Sequence, residues 1–200
     1  MLFRSSQGVN KVMERLTRTG KVEYNKKIKY NLVWGMPTDD SRTVLEESGL
    51  LDTQVGRKLK TGDKFKIIIG PELAKSTKFG KAININDKIK INEHEFTVVG
   101  IIKTGGNPGI SSSIIMTLED ARVLFNEPNE ISIMTAKIEL GEDLDKVVSN
   151  IKKDLAKSRG VKTGKEDFTV QSAKKFVESF FVIFNVEILL CEQSMISILL

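Results

Sequence analysis

Two hundred residues, 40% of them hydrophobic and 28% charged, are enough for one core or for one domain with two lobes, and exclude a disordered chain. The net charge of +5 comes from 31 Lys and Arg against 26 Asp and Glu with no basic block, and aromatics are only 6%, so no nucleic-acid stacking platform is indicated. One cysteine, Cys191, and one histidine, His94, exclude an internal disulfide framework, a multi-cysteine metal site and a histidine cluster.

Most of the lysines read as solvated faces, and the surplus also suits an anionic membrane surface. Met1-Leu-Phe-Arg-Ser-Ser-Gln-Gly8 lacks the apolar stretch of a signal peptide. A domain outside the cytoplasm would therefore depend on a carrier segment before residue 1.

In chain order, the first predicted strand holds Val22 and Tyr24. The second alternates Ile28, Tyr30, Leu32 and Trp34 with polar residues and stops at Gly35-Met36-Pro37. Thr38-Asp39-Asp40 caps a short helix through Ser48, with Gly49 just past its end. Residues 56–103 read as β-rich. Phe65 to Ile69 is a buried strand, and Gly70-Pro71-Glu72 opens a short helix with proline at its first position. Ile83 and Ile85 alternate with asparagine. Ile89 and Ile91 then lead through Asn92-Glu93 into Phe96 to Ile102, a hairpin turning near Asn92.

Thr104-Gly-Gly-Asn-Pro-Gly109 reads as a flexible loop. Thr117 caps a short helix to Phe125, with Glu119 and Asp120 in its first turn. Residues 131–140 form a strand whose apolar phase shifts, which predicts a bulge. Asp143 to Ser158 is the clearest helix: Leu144, Val147, Val148, Ile151 and Leu155 make one stripe, and Gly160 ends it. Phe168 to Gln171 is a final strand, which makes 131–171 a split βαβ-type unit. Ser172 then caps a tail helix.

No constellation carries catalysis. His94 sits at a hairpin turn without an acidic or cysteine partner at ligand spacing. The glycines of 105–109 lack the Gly-Lys-Ser/Thr end of a phosphate loop. Gly62-Asp63 is a turn, and Asp39-Asp40 and Glu46-Glu47 read as a cap and a solvated face. Catalytic, cofactor and metal sites are accordingly expected to be absent, and contact residues for a substrate or partner are not assigned.

The tail from Ser172 grows steadily more apolar up to Leu200. A spanning helix needs ~20 mostly apolar residues, and 176–200 is long enough. Glu178, Glu187 and Glu192 interrupt it, each costing about 2.5–3.5 kcal/mol at mid-membrane. Glu178, Asn185 and Glu192 fall on one narrow helix face, with Glu187 on the other side. Two readings stay open: a transmembrane helix whose polar face meets protein, or an amphipathic helix docked on its own domain or on a partner.

Several segments, taken together, have a distinctive order. They are Gly56-Arg-Lys-Leu-Lys-Thr-Gly-Asp63, Ile68-Ile-Gly-Pro-Glu-Leu-Ala-Lys75, Phe79-Gly80, Ile83-Asn-Ile-Asn-Asp-Lys-Ile-Lys-Ile-Asn92 and Phe96-Thr-Val-Val-Gly-Ile-Ile102. The chain resembles the extracytoplasmic core domain of MacB/FtsX-type ABC transporter permeases over about residues 20–185. The helix from Thr117 and the segment Phe168-Thr-Val-Gln-Ser-Ala173 fit the same pattern.

The resemblance implies a domain set between the first and second of four membrane helices. It also implies a second permease copy and a cytoplasmic ABC ATPase as partners, and no catalytic residues in this domain. The expected fold is α+β and two-lobed. Residues 1–34 and 129–171 would form a membrane-proximal lobe and 35–128 a β-rich distal lobe. Residues 172–200 would start a truncated second membrane helix. The expected function is a non-catalytic permease component, a fragment lacking its first membrane helix, in the cell membrane with its main domain outside. The alternative is a soluble interaction module whose terminal helix docks on a partner protein.

Overall fold

A computed structural model describes residues 6–47, 49, 51–103, 108–162 and 164–172. The tail beyond Ser172, with Cys191 and the three glutamates, lies outside the described residues, as do residues 104–107 and Ser48. The chain divides into two compact units. One holds residues 11–137; the other joins residues 1–10 to 138–200.

The larger unit is built on a strand ladder that returns to its start. β1 (Val9–Tyr24) runs antiparallel to β2 (Lys27–Met36), with Leu16 opposite Gly35 and Tyr24 opposite Lys27. Asn25 and Lys26 make the turn with φ of 48° and 59°, the left-handed pair of a type I′ turn, whose twist matches the strands it joins. β2 pairs in parallel with β7 (Ile114–Thr117), and β7 runs antiparallel to β4 (Lys66–Ile69). β4 pairs in parallel with β6 (His94–Ile102), and β6 forms a hairpin with β5 (Lys88–Ile91). β5 closes the ring on β1 at Val22↔Ile91 and Glu23↔Lys90. β3 (Thr53–Gly56) attaches to β6, and β8 (Ile133–Ile138) to β1.

Strand alternation gives this ring an inside and an outside. Val22, Val33, Ile67, Ile69, Ile89, Ile91, Phe96, Val98, Ile114 and Met116 share one buried cluster, with Phe79 and Ala121 filling in from helices. Trp34, Met36, Ile68, Val99 and Ile115, one residue out of phase, form a second cluster with Leu51, Leu59 and Ile110. Where a strand supplies both clusters, that stretch of it is buried on both faces. β7 reads Ile-Ile-Met-Thr, apolar on both sides, for that reason.

Short helices decorate the ring. Asp39 accepts from the Ser41 N–H and starts a 3₁₀ turn (Asp40–Arg42) that runs into α1 (Thr43–Glu46). Gly49, with φ of +71°, follows it as the sequence predicts. Next come α2 (Pro71–Ala74), with proline at its start, α3 (Ser76–Phe79) and α4 (Pro108–Ser111). α5 (Leu118–Phe125) is capped by the Thr117 hydroxyl, which accepts from the Asp120 N–H at 3.1 Å. Thr117→Ala leaves that buried N–H without its cap and should lower stability by about 1 kcal/mol. A urea titration reads this as a shifted midpoint at constant slope, and an unchanged midpoint would remove the cap's role.

The smaller unit carries α6 (Leu144–Arg159), with Asp143 as its cap and Gly160 left-handed at its end. Val147 and Ile151 of the expected stripe are buried, whereas Leu144 is exposed. Ser6 Oγ donates to Asp154 at 2.5 Å, and the Glu139 N–H donates to the Gly8 carbonyl at 3.0 Å. The unit thus knits the beginning of the described chain to α6.

Three expectations change. β1 begins at Val9, well before the predicted Val22. The strand expected over 131–140 contracts to Ile133–Ile138. No strand forms at Phe168–Gln171, so the split βαβ unit lacks its last strand among the described residues. That stretch has no ladder partner. The segment before it is tied back to α6 instead, by an Arg159–Asp167 pair and by Lys152–Glu166 at 3.5 Å.

Candidate functional site

Two of the family-like segments, residues 56–63 and 96–102, meet at a pinned loop. Gly56 and Gly100 face one another where β3 crosses β6. A Cβ on Gly56 would lie 2.3 Å from the Val99 carbonyl oxygen, and one on Gly100 would lie 2.4 Å from that of Arg57. Only glycine permits that approach. The chain then loops out and returns at Asp63, whose side chain is 7% exposed. Arg57 donates to both carboxylate oxygens, at 2.7 and 3.0 Å. The Lys60 N–H and Lys66 Nζ add bonds of 2.9 and 3.0 Å. The Arg57 fork beside Asp63 holds its carboxyl well below the usual carboxylate range, aided by the Lys60 amide and Lys66 against the cost of burial. The carboxylate is fully engaged with the chain itself, so this node is a lock and leaves no oxygen for a ligand.

The segment Leu118-Glu-Asp-Ala-Arg122 also does structural work. Ala121 packs against Gly35, where an added Cβ would come within 2.3 Å of it. Asp120 Oδ2 accepts from the Phe65 N–H at 2.8 Å and holds that aromatic residue at a φ of +51°. Burial pushes the Asp120 carboxyl up.

None of the polar candidates assembles into a reactive centre. His94 is exposed, with its Nδ1 2.9 Å from the Asn92 carbonyl oxygen. Among the described residues no three His, Cys, Asp or Glu side chains converge as a metal site would require. Asp40 pairs with Lys11 at 2.6 Å, Glu46 with Arg42 at 3.2 Å and Glu47 with Lys137 at 2.5 Å. Of the Thr104–Gly109 loop, Pro108 and Gly109 open α4, and the Gly109 carbonyl accepts from Ser113 Oγ.

Among the described residues, two concavities and one uncovered face stand out. A hollow of about 30 Å³ beside Met36, Leu59, Ile68 and Ile102 is one water in size. A shallow groove of about 350 Å³ runs between the β1–β2 turn and β5. Its lysines are partly engaged: Lys88 meets Glu95 at 2.7 Å and Lys90 meets Glu93 at 3.7 Å. The Tyr24 hydroxyl donates to Asp87 at 2.7 Å, and its pKa is pushed up to about 12 by burial and by that carboxylate.

The uncovered face belongs to the outer half of β2. Tyr30 is 71% exposed, Ile28 52% and Leu32 45%, on the same side of the strand as buried Trp34. The sequence alternation reveals the strand but not which stretch of it the rest of the fold leaves bare.

Among the described residues no helix is long and apolar enough to cross a membrane. Residues 2–154 match the family model of the MacB-like periplasmic core domain. The chain is 32% identical over 177 residues to an uncharacterized ABC transporter permease of Methanocaldococcus jannaschii. That match takes in 88% of this chain and 43% of the relative, so the chain spans less than half of the relative's length. Its fold is similar to the extracellular domain of the ABC-type transporter YknZ from Gram-positive bacteria (TM-score 0.66, 18% identity, 85% of each chain). It is also similar to the periplasmic region of MacB from Actinobacillus actinomycetemcomitans (TM-score 0.64, 16% identity, 88% of this chain and 78% of that one). The chain therefore belongs to the MacB-like periplasmic core domain family of ABC transporter permeases.

Proposed function

We propose that this chain is the non-catalytic extracytoplasmic part of a permease, and that it takes part in substrate export or force transmission driven by a separate cytoplasmic ABC ATPase. The observation that carries this reading is the smaller unit, in which Gly8 bonds to Glu139 and Ser6 to Asp154. A domain inserted between two consecutive membrane helices needs its entering and leaving segments near one another, and the bonds that tie residues 6–8 to Glu139 and to α6, the last helix among the described residues, support that arrangement. In this reading residues 1–34 and 129–171 form the membrane-proximal lobe, residues 35–128 the distal lobe, and the segment from Ser172 leads into the membrane. A second permease copy completes the transporter, and the chain is a fragment of the complete permease.

The reading is tested by locating the chain. In cells, the full chain should sediment with membranes and resist alkaline carbonate extraction. Leu140, fully exposed, provides a labelling position. A Leu140→Cys chain carrying Cys191→Ser should react with a membrane-impermeant maleimide in intact cells. Labelling only after lysis would overturn the extracytoplasmic placement. Recovery in the soluble fraction, with the tail shielded from protease by another protein, would favour the soluble interaction module, a reading to which the bare apolar stripe on β2 lends support.

A further inference from the structure

The outer half of β2 combines two kinds of unused binding capacity in one stretch. Its edge away from β1 pairs with β7 only from Val33 to Met36. Among the described residues no strand pairs with residues 27–32 on that side; at the inner end Asn31 Nδ2 donates to the Ser112 carbonyl at 3.1 Å, so the open backbone runs from Lys27 to Tyr30. An unpaired edge presents a row of free N–H and C=O groups. On the same stretch Ile28, Tyr30 and Leu32 point to one face and are exposed. Lys27 and Lys29 point to the opposite face, also exposed, and Lys26 sits at the turn.

The surrounding charges define the occupant. On the apolar side, neighbouring charges on β1 and β5 are already paired: Lys21 with Glu23 at 2.6 Å and with Glu93 at 3.1 Å, and Lys88 with Glu95 at 2.7 Å. They add little net field to the Ile28–Leu32 stripe. Lys26, Lys27 and Lys29 have no carboxylate within ion-pair distance among the described residues. Lysines alone would protect an edge by repulsion, but an edge built only for protection does not set three large apolar side chains bare on its other face. The two faces thus differ in chemistry with the period of a strand.

We propose that the edge of β2 from Lys27 to Tyr30 accepts an added β-strand from a partner protein in which acidic residues alternate with apolar ones. Its apolar side chains pack on Ile28, Tyr30 and Leu32. Its carboxylates, one residue out of phase, meet Lys27 and Lys29. Main-chain hydrogen bonds extend the sheet beyond the start of β7, the general mode of strand addition to an open edge. The inference rests on the edge alone and requires neither the ATPase nor the membrane, so its failure would leave the permease reading untouched.

The test pans a phage-displayed library of random ten-residue peptides on the full chain. The same library is panned on the Lys27→Glu/Lys29→Glu variant, and on Ile28→Lys/Tyr30→Lys, whose exposed positions leave the core intact; circular dichroism checks each fold. Peptides enriched on the wild-type chain should alternate Asp or Glu with apolar residues. The charge-reversed variant should select Lys or Arg at the acidic positions and keep the apolar ones, and the doubly lysine-substituted variant should enrich neither. Methylating the peptide nitrogens of an enriched sequence that face β2 should weaken it at least tenfold, and methylating the other set should not. No enrichment, enrichment without alternation, the same peptides on the charge-reversed variant, or indifference to methylation would each overturn the proposal.

Discussion

Asp63→Ala should destabilise the larger unit by about 2–3 kcal/mol, because it removes an almost buried carboxylate and frees several donors at once. Arg57 and Lys66 can regain water, since their side chains are 36% and 40% exposed. The loss therefore stays below the range for a fully buried pair. The Lys60 N–H loses its acceptor, and the loop from Arg57 to Asp63 loses its closure. At about 2–4 °C per kcal/mol for a chain of this size, melting should drop by roughly 5–10 °C.

The sign of the pH dependence follows from the depressed carboxyl. A group held below its unfolded value of about 3.9 contributes fully above that value and loses its contribution as pH falls through the folded one. The urea midpoint should therefore fall from pH 6 to pH 3, and Asp63→Asn should flatten that fall. Asp120, shifted upward by burial, works in the opposite sense: its contribution is present below the unfolded value and is lost as pH rises. A wild-type midpoint as flat as that of the Asp63→Asn chain would refute the node as a source of acid sensitivity.

Phe79→Ala should cost more, about 3–5 kcal/mol, the range for deleting a buried aromatic side chain. Phe79 is fully buried inside the strand ring and meets Tyr24 edge-on, with centroids 6.0 Å apart and planes at 86°. The ladders hold the ring at a fixed girth, so the walls cannot close on the space left behind. Against a typical total of 5–15 kcal/mol this is a large share. Equilibrium urea unfolding with an unchanged slope is the measurement. A loss below about 1 kcal/mol would mean that the interior repacks, and that the ring is less rigid than its pairing suggests.

What could be read from the sequence depended on how many faces each element buries. The hairpin at Asn92, the proline start of α2, the Thr117 cap and the helix ending at Gly160 all follow from local chemistry and fall where expected. The first half of β1 was hidden because it is buried on both sides. Val9, Val12, Met13 and Leu16 stand at helical spacing, yet in the strand Met13 and Leu16 belong to opposite clusters. Local pattern cannot separate those cases. Phe168–Gln171 erred the other way: Phe-Thr-Val-Gln suits a strand, but pairing is supplied by a neighbour and not by the segment itself.

The node at Asp63 was legible only as a turn. Gly62-Asp63 announces a reversal, but nothing local says that Arg57 returns to clasp the aspartate. The order of the family-like segments identified the family although their individual roles were invisible. Gly56 with Gly100, Asp63 with Arg57, and Ala121 with Gly35 prove to secure a crossing, a clasp and a close approach. The bare stripe of β2 was legible as a strand and illegible as a surface, since exposure depends on where β7 begins.

The ring's connectivity sets an order of assembly. The β1–β2 and β5–β6 hairpins close over two-residue turns and can form as soon as their strands exist. The contact of Val33 with Ile114 spans most of the larger unit, and such distant pairings are the slow ones. Until β7 arrives, the whole edge of β2, Val33 to Met36 included, stands open with its apolar residues bare. A chain stalled at that stage would be sticky along one defined strand. Aggregation during expression should therefore begin at β2, and Lys27 and Lys29 are the side chains placed to hold it off.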